Sequence, residues 1–172
     1  MKKLKVLGFL TLFLSACATT PKEATFNLPD GWRLPTSEDA IDDWARFNSP
    51  SRVEADFNGD GKTDRAQILL KNNSSTGYRL IVDISDGDNI KRFNLDQNDS
   101  ISAQSMAIEL LDPSNEVWDS ACEKGYWECQ QNEIRKFKIS KPSIQFCYIE
   151  SACVIYMWSD RNKNFTKIPL SD

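Results

Sequence analysis

No histidine occurs anywhere in the 172-residue chain. That absence removes Ser-His-Asp and Cys-His nucleophilic arrangements and the imidazole-based zinc sites. General acid–base work would fall to carboxylates, lysine or tyrosine. Also lacking is an apolar stretch of the roughly 18 residues that a membrane-spanning helix needs. The apolar run Val6 to Leu14 would be only about 14 Å long as a helix, against a hydrocarbon core of roughly 30 Å. Positive charge is in deficit, with 21 Lys and Arg against 25 Asp and Glu. Three of those lysines (Lys2, Lys3 and Lys5) lie in the first 16 residues, so the remaining 156 carry 18 basic against 25 acidic side chains. Such an acidic balance argues against nucleic acid or anionic lipid as a partner.

What is present begins with an address. A basic start followed by the short run Val6–Leu14 has the pattern of a cleaved signal peptide. Leu14-Ser15-Ala16-Cys17 resembles the lipobox of bacterial lipoproteins. The resemblance implies cleavage before Cys17, diacylglycerol on its sulfur, and acylation (palmitate) of the new amine. Two or more acyl chains anchor firmly where one binds only marginally. Residue 18 is Ala rather than the Asp that favours inner-membrane retention, so the implied location is the outer membrane, facing the periplasm. The expected organisation is a signal over 1–16, a lipid-anchored tether over 17–34, and a single globular domain over 35–172.

Beyond Cys17 four cysteines remain, and an even number in an oxidising compartment reads as two disulfides. Of three possible connectivities, Cys122–Cys129 and Cys147–Cys153 are favoured, because each pair brackets a short segment with turn residues. A tetrathiolate metal site is the rival, although the spacings exceed those of the usual zinc pairs.

The hydrophobic pattern points to a mainly β (α+β) fold: an antiparallel meander with one N-terminal helix. Pro35-Thr36-Ser37-Glu38-Asp39 reads as a helix start, with Ile41, Trp44 and Ala45 as the buried stripe and an end near Phe47. Strands are predicted over 53–57, 65–70, 78–84, 90–95, 106–111, 134–139, 143–149, 153–158 and 165–168. In the third, Leu80, Val82 and Ile84 share one face, and Arg79, Ile81 and Asp83 the other.

One stretch carries chemistry: Asp56-Phe57-Asn58-Gly59-Asp60-Gly61-Lys62-Thr63-Asp64. Oxygen side chains fall at positions 1, 3, 5 and 9, glycine at 6, and the Lys62 carbonyl is available at 7, which is EF-hand loop spacing for calcium. Position 12 is Gln67, where that loop has a bidentate Glu. The metal set is therefore Asp56, Asn58, Asp60, Lys62 and Asp64, with affinity near 10⁻⁴ to 10⁻³ M and a structural role. A bare hairpin turn at Asn58-Gly59-Asp60-Gly61 is the alternative. Because its flanks read as strands, the loop resembles the hairpin version found in dockerin-related and FG-GAP-like extracellular proteins. Together with Cys122-Glu123-Lys124-Gly125-Tyr126-Trp127-Glu128-Cys129, Glu150-Ser151-Ala152 and Trp158-Ser159-Asp160, it resembles a family of uncharacterised secreted bacterial proteins over about residues 30–172. That likeness implies architecture and no activity.

Functionally, the expectation is a non-catalytic, calcium-stabilised envelope binding protein. Tyr126 and Trp127 are candidate contact residues, either displayed for a partner or filling the core. A periplasmic inhibitor or immunity protein against a secreted toxin is an alternative. A carboxylate-dependent cell-wall hydrolase is another, with Glu109 and Asp112, or Glu128 and Glu133, as nominal acid pairs.

Overall fold

The computed structural model describes residues 27–47, 51–86 and 89–170. The signal segment, Cys17 and most of the proposed tether lie outside the described residues. Among the described residues the strands are β1 (Trp32–Arg33), β2 (Arg52–Ala55), β3 (Asp64–Lys71), β4 (Tyr78–Asp86), β5 (Asn89–Asn98), β6 (Met106–Leu111), β7 (Trp118–Asp119), β8 (Lys136–Phe137), β9 (Ser143–Tyr148), β10 (Cys153–Ser159) and β11 (Asn164–Leu170). The fold is mainly β and all its pairings are antiparallel. One sheet runs β1-β3-β4-β5, with β2 also paired to β3; a second runs β11-β10-β9-β6; β7 and β8 form a small ribbon.

Period-two alternation explains how the sheets face each other. From the first sheet Ala66, Ile68, Leu70, Leu80, Val82 and Ile84 enter one core, and from the second Met106, Ile108, Ile144, Phe146 and Tyr156 meet them. The opposite faces are also covered. Trp32 and Leu28 pack on Leu69 and Ile81. Over the second sheet, Trp118, Phe137 and Ile139 pack on Ile155, Met157 and Leu170. This second cover is the long excursion between β6 and β9. Both favoured disulfides are formed: Cys122–Cys129 inside the excursion and Cys147–Cys153 across β9 and β10, where the two residues stand opposite each other in register.

Three expectations are corrected. Folded structure begins before residue 35: Trp32 and Arg33 pair with Lys71 and Leu70, so the globular part extends beyond the expected 35–172. The N-terminal helix is broken into a 3-10 turn over Ser37–Asp39 and a short helix α1 (Asp42–Phe47). Asp39 turns back to accept from the Thr36 N–H at 2.7 Å and is gripped by both arms of Arg33 at 2.6 and 2.7 Å. Of the expected stripe only Trp44 is buried, its indole N–H donating to the Met106 carbonyl at 2.7 Å; Ile41 and Ala45 are exposed. Finally, the run 134–139 forms only the two residues of β8: Phe137 and Ile139 share the face that covers the sheet, and Ile134, an odd interval before them, falls on the other face and stays in solvent.

One irregularity ties the sheets together. The β4–β5 register slips between Leu80/Asp96 and Ile81/Asn94, making Leu95 a bulge. Its carbonyl accepts from the Tyr156 hydroxyl at 3.2 Å, and the neighbouring Asp96 accepts from Tyr78 and Tyr156 at 2.9 Å each and from Lys167 at 2.7 Å. Burial pushes the Asp96 carboxyl up, but hydrogen bonds from Lys167, Tyr156 and Tyr78 more than offset it, holding it below the ordinary carboxylate range. A carboxyl with a lowered folded-state pKa stabilises above the unfolded pKa of about 4 and loses that contribution as pH falls through the folded value. Asp96→Asn is therefore expected to cost about 2 kcal/mol at pH 7. The gap between variant and parent should close on acidification below the ordinary carboxylate range, as read from urea melts at several pH values.

Candidate functional site

The loop 56–64 joins β2 to β3 and is shaped by its own acids. Asp56 accepts backbone N–H bonds from Gly59 at 2.7 Å, Asp60 at 3.0 Å and Gly61 at 2.7 Å. Asn58 Oδ1 accepts from the Asp60 N–H at 2.9 Å, and Asp60 from the Lys62 N–H at 2.8 Å. The Asn58 side-chain amide, then the Lys62 N–H, lower the pKa of the exposed Asp60 carboxyl. Both glycines have left-handed backbone, with φ +78° at Gly59 and +84° at Gly61. Gly59 answers a second demand as well, since a Cβ there would stand 3.1 Å from the Lys141 ammonium.

Asp64 behaves differently from the rest of the motif. It is 1 % exposed, and its two oxygens accept from the Phe57 N–H at 2.9 Å and the Ser85 N–H at 2.8 Å, with the Asn58 N–H as a third donor. Desolvation raises its pKa, against the pull of those N–H groups. Gln67, at the twelfth position, lies inside β3 opposite Arg52. Asp56, Asp60 and Asp64 do not bring their carboxylates together. Among the described residues, the cluster of metal-competent atoms is Cys122, Cys129 and Glu133, and those two sulfurs are joined to each other. The donor chemistry of Asp56, Asn58, Asp60 and the Lys62 carbonyl suits a hard cation. Asp64 differs from Asp56, whose carboxylate also accepts three backbone N–H bonds, in being 1 % exposed and tied to β4 as well as to the loop.

The loop forms one wall of a cleft of about 620 Å³ at the end of the sandwich. The other walls come from the end of β4 (Ile84, Ser85 and Asp86), from Lys91 on β5, from Lys141, and from the β10–β11 turn with Trp158, Asp160 and Lys163. Lys141 fastens the two sheets across it. Its ammonium donates to the Asn58 carbonyl at 2.7 Å and to both Asp160 oxygens at 2.9 and 2.8 Å, which lowers the Asp160 pKa. On the far side the Lys91 ammonium reaches the Lys163 carbonyl at 3.5 Å and sits 4.7 Å from the Phe93 ring. Beneath, Phe93, Trp158 and Phe165 pack edge to face at 5.3 to 5.7 Å.

Tyr126 and Trp127 are displayed at 50 % and 40 % exposure on the Cys122–Cys129 loop. The Trp127 indole N–H is held by Glu133 at 2.9 Å, which also accepts from the Gln130 N–H at 3.1 Å. Neither nominal acid pair, Glu109 with Asp112 or Glu128 with Glu133, lines the end cleft. Sequence reasoning missed Lys91, Lys141, Trp158, Asp160 and Lys163, which come together only through the topology. The one local signal was the polar turn Ser159-Asp160-Arg161-Asn162-Lys163-Asn164. Comparison with protein-family models, curated proteins and solved structures finds no match to this chain.

Asp64→Ala would leave the Phe57, Asn58 and Ser85 N–H groups without their acceptor, for an expected loss of about 3 kcal/mol or more. Asp60→Ala, at the solvent side of the same loop, should cost less than about 1 kcal/mol. Denaturant melts of the two variants measure the difference.

Proposed function

We propose that the protein is a lipid-anchored, non-catalytic binding protein of the cell envelope, held at the outer membrane through Cys17. The observation that carries the binding role is the end cleft. At about 620 Å³ it lies within the roughly 300–1,000 Å³ of small-molecule sites, and Lys141 holds its walls in place from both sheets. The anchor rests on the lipobox resemblance alone. The calcium loop stiffens the cleft wall in this reading, with Asp56, Asn58, Asp60 and the Lys62 carbonyl as protein ligands and water completing the shell.

A second reading has its own support. Tyr126 and Trp127, exposed on a disulfide-closed loop, are the residue types that anchor protein interfaces. They would serve an inhibitor or immunity protein facing a toxin.

Three experiments test these readings. Cys17→Ser should move the protein from the membrane pellet to the soluble fraction, and an unchanged pellet would remove the anchor. Capture from solubilised envelope, with the full chain as bait, is expected to retain one envelope component. Loss on Lys141→Ala would assign it to the cleft, and loss on Trp127→Ala to the disulfide loop; no component above background would defeat the binding role. Millimolar calcium should raise the melting temperature by a few degrees, and Asp56→Ala should abolish the rise.

A further inference from the structure

The geometry points to an acidic oligosaccharide as the ligand of the end cleft, a carboxylate on the sugar bridging Lys91 and Lys163 while a ring lies against Trp158. This deepens the binding reading above and rests on it.

The first support is the state of the two ammonium groups. Lys141 is fully engaged, with three acceptors between 2.7 and 2.9 Å. Lys163 pairs with Asp160 at 3.9 Å, beyond hydrogen-bond reach, and Lys91 reaches a neutral carbonyl at 3.5 Å. Both line the cleft with donors left for an incoming acceptor.

Backbone strain is the second support. Lys163 sits at φ +47°, a left-handed conformation in which glycine or asparagine is the low-energy choice. A β-hairpin has no need of lysine there, and the strain places an ammonium-bearing residue at the cleft.

The third support concerns ligand class. Ile84 and Trp158 are the hydrophobic residues of the lining, the Trp158 indole N–H donating to Asp160 at 3.2 Å, while Asp60, Asp86, Asp160, Asn58 and Ser85 supply polar groups. An aromatic residue ringed by mixed polar groups suits a hydroxylated ring. Peptide recognition would call for apolar side-chain pockets, whereas the lining here is polar apart from Ile84 and Trp158. The aromatic packing below Trp158 and the Lys141 tie keep the platform in place before a ligand arrives.

Titration of the ¹⁵N-labelled full chain with trigalacturonic acid tests the assignment. The chain has five tryptophans, and the Trp158 indole signal is identified through Trp158→Phe. Expected is a saturable shift of the Trp158 indole with those of Trp44 and Trp118 unmoved. Lys91→Ala and Lys163→Gly should each weaken binding by on the order of tenfold, the loss of one charge-assisted hydrogen bond. Lys163→Gly should at the same time melt no lower than the parent, since glycine relieves the left-handed strain. That separates loss of binding from loss of fold.

No Trp158 shift at about 10 mM ligand, far above any useful affinity, overturns the proposal, as does undiminished binding by Lys163→Gly. An equal response to sodium acetate reduces the site to a simple anion site. Equal affinity for neutral galactotriose removes the carboxylate contact. Envelope capture that succeeds while Trp158 stays still would leave the binding role standing and take this cleft out of it.

Discussion

Asp64 is the acid on which the site end of the molecule depends. It opens β3 in a place solvent does not reach, and its carboxylate is the common acceptor for N–H groups of Phe57, Asn58 and Ser85. Those donors belong to two separate segments, the start of the loop and the end of β4. One side chain thus fixes the loop against the strand that forms the opposite wall of the cleft. Fully buried Phe57 extends the tie, packing edge-on to Phe165 at 6.3 Å. Phe165 in turn packs on Trp158. A buried carboxylate with fewer donors would have to be neutral or would unfold its surroundings. Three backbone N–H groups are what make this placement tolerable.

The same logic recurs between the sheets. Asp96 would point to solvent if β5 alternated regularly, but the bulge at Leu95 turns it inward to meet Tyr78 and Tyr156 from opposite sheets. The bulge leaves one carbonyl outside the ladder, and Tyr156 takes that as well. The disulfides act differently. Each closes a short segment, a constraint worth about 2 to 3 kcal/mol through the unfolded chain. Cys147–Cys153 locks a hairpin whose register is already set by pairing, and Cys122–Cys129 shapes a loop with little regular structure.

Much of this was legible in the sequence wherever one face of a strand is buried. The alternation in Leu80, Val82 and Ile84 fixed both the strand and its inner face, and the spacing of the cysteines favoured the right partners. Legibility failed where local pattern and tertiary demand part company. Ile41 has the spacing of a buried stripe, yet the chain breaks at Asp42, which sits at φ +50°, and only Trp44 is carried inward. Ile134 stands three residues before Phe137, so in an extended chain it faces away from Phe137 and Ile139 and stays in solvent. Asp64 sits at a ligand position by spacing, and its burial and its bond to the Ser85 N–H of β4 were not visible in that spacing. The cleft was illegible for another reason. Lys91, Lys141 and Lys163 come from three separate segments, and no window of sequence contains them together.

The excursion between β6 and β9 links the two candidate surfaces mechanically. Its body is fixed by backbone bonds from Ser114 to Ile139, Ser120 to Arg135 and Ala121 to Pro169, at 2.8 to 2.9 Å. Trp118, Phe137 and Ile139 seat it on the second sheet. Tyr126 and Trp127 project from its middle, and Lys141 leaves from its end to hold the cleft shut against Asp160. One residue, Ser140, separates Ile139, 1 % exposed, from Lys141, so a partner that pulled the excursion off the sheet would draw Lys141 out of the cleft. Binding at the disulfide loop that left the excursion seated would leave the cleft untouched. The two surfaces are therefore independent under rigid docking and coupled as soon as Ile139 is unseated, because the lysine that joins the cleft walls is tethered directly to that buried residue.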